Sequence, residues 1–469
     1  MNDDVKNLWK RNAIDVVKLL RKKEVSGLEV LESCLLRIEA VNPSLNAIVS
    51  IFEEKAKENI SEENLSGILS NMPVVIKDNT NIAGIKTTFG SEIYENNIAE
   101  ITDPSVANIE RNGGIIFAKT NLPEFAAGSH TYNQVFGLTK NPWNKFNSSG
   151  GSSGGSASAL ASGMAWFATG NDFGGSLRNP ASWCGVVGLR PSPGLIPRGP
   201  SELPFNNITV EGPMARNVED LALFLDSMVG YCPNDPISKD RKSFLFSQKI
   251  EEPVSENIRI GYTKNFGIFP CSSEVEDMIN NTVKLIQNMG HVIENSHPSM
   301  EGAEECFQTL RAYNYYASYK SIYESSKFQK VKEEVIWNIR KGKELSVSKL
   351  INAEKIRKKI YQETIEYFDK YDFLIAPSSI VPPFRIDTNW IKEVNNVKFD
   401  NYVSWMMIAA CISLTSCPSL ALATSFSKEG CPFGIQIIAP PNREENLLSF
   451  AKSLEDNLNI KSLLPINPK

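Results

Sequence analysis

With 469 residues, 42% of them hydrophobic and 22% charged, the chain has the make-up of a compact soluble protein, which excludes a disordered or fibrous one. Its 49 basic and 54 acidic side chains leave a formal charge of -5. No dense Lys/Arg block exists to hold a phosphate backbone, which excludes nucleic acid as a direct ligand.

The first 25 residues carry charges throughout and lack the apolar stretch and cleavage site of a secretory signal, so the cytoplasm is the expected location. Ser26 and Glu29 stand in capping-box spacing, and Leu31, Cys34, Leu35 and Ile38 recur at helical intervals, which predicts a helix after Ser26. Asn42-Pro43 is predicted to stop it, and LNAIVSIF to follow as a short buried strand. In MPVVIKDNTNI the β-branched run Val74, Val75, Ile76 predicts a second strand, with Lys77 at its end. GGIIFAKT (113–120) and GMAWFATG (163–170) read as further buried strands.

NVEDLALFLDSMVG (217–230) has an acidic first turn, an apolar stripe and a terminal glycine, which predicts a helix marked at both ends. IRIGYT reads as a strand. A helix over 273–289 carries Val275, Met278, Ile279, Ile286 and Met289 on one face and is stopped by Gly290. HVIENS and DFLIAPSS add strands, and the Lys/Glu-rich stretch 327–370 predicts an outer helical layer over the sheet. The apolar run WMMIAACISL (405–414) falls far short of the roughly 20 residues that span a bilayer, so it reads as core and no membrane role is expected. Strands and helices alternate without internal repeats, which predicts an α/β fold: a single large domain with a central mixed β-sheet covered by helices on both faces. Eight cysteines (Cys34, Cys184, Cys232, Cys271, Cys306, Cys411, Cys417, Cys431) lack CxxC or metal-finger spacing, so they are expected to be reduced and mostly buried, with no metal site.

The segment NSSGGSSGGSASALASG, residues 147–163, has the composition of a flexible linker. A linker separates self-contained units, whereas this segment passes directly into MAWFATGNDFGGSLRNPASWCGVVGL, where buried-strand residues meet a second glycine pair, Gly174-Gly175, and then Ser176. Clustered glycines instead allow backbone N–H groups to approach a ligand closely. A phosphate loop is excluded because Gly154-Gly155 runs into Ser156 and Ala157 rather than a G-K-[ST] ending. GGSSG matches the loose G-x-S-x-G elbow at Ser152, but the preceding NPWNKFNSS is no strand, and only His130, His291 and His297 are available as a triad base. VVIK and DFG (172–174) fit a protein kinase in isolation; no His-Arg-Asp exists, and the glycine loop follows the lysine instead of preceding it.

GGSSGGSASALASG, then GNDFGGSLRNPASWCGVVGLRPS, with PVVIKDN upstream, resemble the amidase signature family of serine hydrolases. The similarity continues through SGLEVLESCLLRIEAVNPSLNAIV, VEGPMARNVEDLALFL and CPFGIQIIAPP, so it covers nearly the whole chain. The resemblance implies a single amidase domain over 1–469, with an N-terminal helical part (1–65), a catalytic core carrying the Ser/Gly-rich signature (66–230) and a C-terminal part completing the sheet and substrate pocket (231–469). It implies a Ser-Ser-Lys triad: Ser176 as nucleophile, Ser152 as bridging serine, Lys77 as base. It also implies a cis peptide at Gly151-Ser152, and supporting roles for Ser153, Asp172 and Arg178, the last two expected to pair and brace the loop together with Ser153. Backbone N–H groups of Phe173, Gly174, Gly175 and Ser176 are expected to form the oxyanion hole. Pro180, Trp183 and Cys184 are expected to pack around the site.

The chemistry is consistent with that assignment. A serine hydroxyl needs a base to take its proton as it attacks a carbonyl, and a lysine serves only when neutral, which requires lowering its pKa from about 10.4 toward 7, some 4 kcal/mol. The apolar run before Lys77 offers the burial, and strand alternation turns Asp78 to the opposite face. The implied activity is a cofactor-free amidohydrolase that converts a small-molecule amide to a carboxylate plus ammonia or amine. Two other readings remain: a glutamine-hydrolysing subunit of a tRNA-dependent amidotransferase, and a catalytically silent binding protein of the same fold. The stretch SELPFNNITVEGPMARN (201–217) looks more like stand-alone amidases. Homo-oligomers are common in the family. Trp143, Phe146, Phe205, Tyr313 and Trp405 are candidates to line the acyl pocket, with core packing the simpler account of each.

Overall fold

Eleven strands from both halves of the chain join in one mixed sheet in this computed structural model, which describes residues 3–252 and 258–469. Residues 253–257, within the part expected to complete the sheet, lie outside the described residues. The strands are β1 (Ile48–Ile51), β2 (Pro73–Lys77), β3 (Ile115–Thr120), β4 (Phe167–Asp172), β5 (Val187–Arg190), β6 (Val210–Ala215), β7 (Arg259–Tyr262), β8 (Val292–Asn295), β9 (Phe373–Pro377), β10 (Ser419–Phe426) and β11 (Pro432–Ile438). Their spatial order is β1-β3-β2-β4-β6-β5-β10-β11-β9-β7-β8. The trio β3-β2-β4 is parallel, β9-β7-β8 is parallel, and the strands between them are antiparallel. Helices flank this sheet, as the alternation in the sequence predicts.

Position in the sheet explains the residue patterns. β2, β3 and β4 lie inside it and every residue of each is buried, so they read as continuous apolar runs rather than alternating ones. At the edge, β8 buries only Ile293 and keeps Glu294 in water. The sequence misses β5, β6, β10 and β11, which fill the middle of the sheet. Val-Gly-Leu-Arg and Val-Glu-Gly-Pro-Met-Ala interrupt their apolar residues with glycine, proline and charge, so neither run nor alternation is visible.

Helix α1 (Gly27–Leu45) opens on the predicted capping box, both halves of which form at Ser26 and Glu29. It does not stop at Asn42-Pro43. Proline withdraws one N–H, yet the Asn46 N–H still reaches the Asn42 carbonyl at 2.7 Å, and the turn ends at Asn46 in the left-handed region. The strand expected from residue 163 begins only at Phe167, because the preceding helix closes through Gly163 (φ +79°) and a Met164 N–H bond to Ala159.

That preceding helix, α2 (Gly154–Ala161), lies within the Ser/Gly segment and carries no apolar stripe that periodicity detects. It is followed by α3 (Arg178–Cys184), α4 (Val218–Met228), α5 (Ser273–Asn288) and α6 (Ala303–Tyr323). The predicted outer layer resolves into α7 (Glu333–Lys343) and α8 (Val347–Phe368), which pack chiefly on α6 rather than on the sheet. There α7 closes a small apolar cluster of Phe125, Tyr315, Val335, Ile336 and Ile339, separate from the main core. The run 405–414 forms part of a buried 3-10 turn and α9 (Met407–Ser413), in agreement with its reading as core. No helix among the described residues is long and apolar enough to cross a membrane.

Candidate active site

Because β2 and β4 are parallel neighbours, their C-terminal ends meet, which brings Lys77 beside Asn171 and Asp172. The Lys77 N–H donates to Thr169 Oγ1 at 3.1 Å and locks the two strand ends together. Asp78 turns away, as alternation predicts: its carboxylate accepts from Thr88 and lies 3.9 Å from Lys119 Nζ.

The Lys77 side chain is fully buried. Its Nζ lies 2.7 Å from Ser152 Oγ, 3.0 Å from Ser153 Oγ and 2.7 Å from Asn171 Oδ1. A neutral amine has two N–H groups and one lone pair. The Asn171 oxygen can only accept, so one N–H goes to it and a second can go to Ser153, leaving the lone pair for the Ser152 hydroxyl. Burial pushes the Lys77 pKa down to about 7, against the opposing pull of the Glu211 and Asp172 carboxylates. Asn171 was not anticipated from the sequence; the signal available was its place one residue before Asp172 at the end of a buried strand.

The Ser/Gly segment is no linker, since every residue from 147 to 163 is buried. Its hydroxyls tie α2 to the sheet: Ser156 Oγ donates to the Thr169 carbonyl at 2.8 Å and lies 2.8 Å from Thr120 Oγ1. Gly155 is required by close approach, because a Cβ there would sit 2.4 Å from the Asn121 nitrogen. The Gly151-Ser152 peptide is cis, as the resemblance implies.

Ser176 lies in the loop from β4 to α3, and Ser153 N–H donates to its carbonyl at 3.2 Å, so the two serine-bearing loops are joined. Ser152 and Ser176 line one cavity of about 470 Å³. No hydrogen bond between the two hydroxyls is formed in the structure.

Behind the loop, Asp172 meets Arg178 through two bonds of 3.0 Å and Arg190 at 3.3 Å, all three side chains fully buried. Burial alone would raise the Asp172 pKa, but the two guanidiniums hold it well below the usual carboxylate range. Arg190 escaped the sequence reading; it is the last residue of β5, one of the unpredicted strands. Ser153 stands apart from this brace, its hydroxyl lying against Lys77 instead.

Gly175, at φ +111°, donates its N–H to Asp172 Oδ1 at 2.8 Å, so it is committed to the brace and is not free as an oxyanion donor. The N–H groups of Phe173, Gly174 and Ser176 have no acceptor among the described residues and remain available. Pro180, Trp183 and Cys184 pack in the core beside the site as expected.

None of Trp143, Phe146, Phe205, Tyr313 and Trp405 lines the cavity. Trp143 and Trp405 are buried elsewhere, while Phe146, Phe205 and Tyr313 are 67%, 76% and 38% exposed, so core packing does not describe those three either. The aromatic wall comes from Phe89, Phe125, Phe173, Tyr315 and Tyr319, which loops and α6 bring together from distant positions. His130 bonds Ser148 Oγ and the Ile386 carbonyl, and burial lowers its pKa to about 4, so it is a neutral structural ring rather than a triad base. All eight cysteines are free, seven of them buried.

A model of the amidase family matches residues 29–448. A curated relative, a glutamyl-tRNA(Gln) amidotransferase subunit of Halothermothrix orenii, is 32% identical over 95% of this chain and 97% of its own length. Among solved structures, a bacterial aryl acylamidase of the amidase signature enzymes superposes with a TM-score of 0.91 at 25% identity, covering 98% and 99% of the two chains. The corresponding glutamyl-tRNA(Gln) amidotransferase subunit of Thermotoga maritima superposes with a TM-score of 0.78 at 26% identity, covering 96% of each. Sequence, fold and the arrangement around Lys77 and Ser176 thus lead to one assignment: the chain belongs to the amidase family.

Proposed function

We propose that the protein hydrolyses carboxylic amides through an acyl-enzyme on Ser176. The observation that carries this reading is the buried Lys77 amine in contact with Ser152, on the wall of the cavity that holds Ser176. Neutral Lys77 takes the Ser152 proton while Ser152 takes that of Ser176, whose Oγ bonds to the carbonyl carbon. The negative charge on the carbonyl oxygen is met by the N–H groups of Phe173, Gly174 and Ser176; losing one such donor typically costs about 10² to 10³ in rate. The C–N bond then breaks and the stored proton returns along the same path to the departing nitrogen, which leaves poorly unprotonated. Water repeats the attack on the ester, releases the acid and restores Ser176. No cofactor enters any of these steps.

The test is reaction with a fluorophosphonate followed by mapping of the adduct. Labelling at Ser176 that Lys77→Ala abolishes supports the mechanism. An unlabelled Ser176 in folded protein makes it a silent binding protein.

Two finer readings share this chemistry. Full-length relatives at 30% to 32% identity that are amidotransferase subunits favour a glutamine-hydrolysing subunit that passes ammonia to a partner chain. The aryl acylamidase fold match and the stretch 201–217 support a stand-alone enzyme. The relatives carry more weight, since at similar coverage their identity is 30% to 32% against 25% for the aryl acylamidase. Copurification of stoichiometric partner subunits from the native source, with glutamine hydrolysis, decides for the subunit; monodisperse enzyme that cleaves aryl or alkyl amides and ignores glutamine decides against it.

A further inference from the structure

Arg311, on α6, is 4% exposed and lines the same cavity as Ser152 and Ser176. Its Nη2 donates to the hydroxyls of Tyr315 at 3.0 Å and Tyr402 at 2.9 Å. Nε and Nη1 have no acceptor among the described residues, and no carboxylate among them comes within salt-bridge distance. The charge instead rests among rings, with the guanidinium carbon 4.6 Å from the Tyr315 centroid, 5.4 Å from Phe173 and 5.7 Å from Tyr402.

Those neighbours solvate the cation in part and do not neutralise it. Burial pushes the Tyr315 hydroxyl far above neutrality, so it is an uncharged dipole. A buried cation without counter-ion is costly, and half-satisfied buried donors add to the cost. The other guanidinium on the cavity wall, Arg198, differs: it lies among Asp103, Asp235 and Glu211 and donates to the Asn206 carbonyl at 2.9 Å. Arg311 is therefore the wall cation that no carboxylate among the described residues pairs with. Its guanidinium lies against the ring of Phe173, whose own N–H is one of the free donors, three residues before Ser176 on the wall of the same cavity.

We propose that Arg311 is a specificity-determining residue that binds a carboxylate of the substrate, so that the site selects amides carrying a carboxylate on the part held in this cavity. A guanidinium suits this task because it stays charged and offers planar N–H donors to a carboxylate. The inference rests on the amidase reading for its meaning as substrate choice, while the binding of a carboxylate does not.

The test uses p-nitroanilides in matched pairs: succinyl, glutaryl and adipoyl half-amides against butyryl, pentanoyl and hexanoyl amides of the same lengths. At least one charged member should exceed its neutral homologue at least tenfold in kcat/KM, and Arg311→Gln should collapse that ratio while Arg198→Gln leaves it. Isothermal titration with glutarate and with its dimethyl ester, on the parent protein and on Arg311→Gln, reads binding without turnover. Glutarate should bind the parent more tightly than the ester does. If Arg311→Gln fails to fold, these parent measurements still decide. Equal turnover of every pair together with equal binding of glutarate and its ester overturns the proposal, as does an Arg311→Gln protein that keeps the preference. Glutarate binding lost in Arg311→Gln, with no amide turned over by the parent, retains the carboxylate site and overturns the amidase reading instead.

Discussion

Lys77 Nζ lies 2.7 Å from Ser152 Oγ in a setting that excludes water from the amine altogether. Since burial lowers its pKa to about 7, the amine is charged below that pH and free to accept a proton above it. kcat/KM for a neutral amide should therefore rise with pH and level off above about 7. Lys77→Ala should lose at least about 10³ of that rate at every pH, given that base catalysis is typically worth 10² to 10⁴. A parent-like rate in Lys77→Ala removes the lysine from the mechanism.

Stability carries the same signature. An unfolded lysine stays protonated to about pH 10.4, so between about 7 and 10.4 the unfolded chain binds more protons, and folding strengthens as pH rises across that window. Below it the penalty is fully present. Lys77→Met should thus gain more over the parent at pH 6 than at pH 9, as denaturant titrations at the two values would read. An equal gain at both means the lysine is not buried as described.

Glu211 is the foremost charge holding the Lys77 pKa up against burial; it lies on β6 opposite Asn171 and lines the cavity with Ser152 and Ser176. Removing that carboxylate in Glu211→Gln lowers the Lys77 pKa further. The acid limb of the kcat/KM profile should move to lower pH, and a limb that stays or moves up contradicts the coupling.

Asp172 pairs with both Arg178 and Arg190, all three with no exposure. Asp172→Asn strands two buried guanidiniums, a change of the kind that costs about 3 to 5 kcal/mol. Urea unfolding should show a loss of that size, together with slower fluorophosphonate labelling, since Asp172 also holds the Gly175 and Leu177 N–H groups on either side of Ser176.

Gly175 combines φ +111° with a Cβ position 2.8 Å from Ala409 Cβ. Gly175→Ala should cost about 1 to 3 kcal/mol in backbone strain and reduce labelling of Ser176 more than tenfold by displacing the loop. Unchanged labelling would show that the loop tolerates another conformation.

Much of the site was legible because it lies in contiguous motifs. Lys77 closes an apolar run, the serines and glycines of 147–163 form one block, and Asp172, Ser176 and Arg178 fall within seven residues. Asn171 and Arg190 were missed for different reasons. Asn171 is an ordinary polar residue until β2 and β4 bring it to Lys77, and Arg190 sits on a short strand whose glycine hides its pattern. The division of the glycine-loop donors between oxyanion and brace was also invisible, since it depends on where the Asp172 carboxylate lands.

By itself the sequence determined the alternation of elements, the capped starts of α1 and α4, the burial of β2 to β4 and the residues proposed to react. These follow from local propensity, apolar runs and a long motif, all of which act between near neighbours in the chain. Only the tertiary structure decided the middle strands, the Lys77 contacts, the partnering of Asp172 by two arginines and the aromatic wall around Arg311. Each of those depends on groups far apart in sequence meeting in a low-dielectric interior, where burial lowers the pKa of an amine and buried charges are set by the partners the fold brings to them.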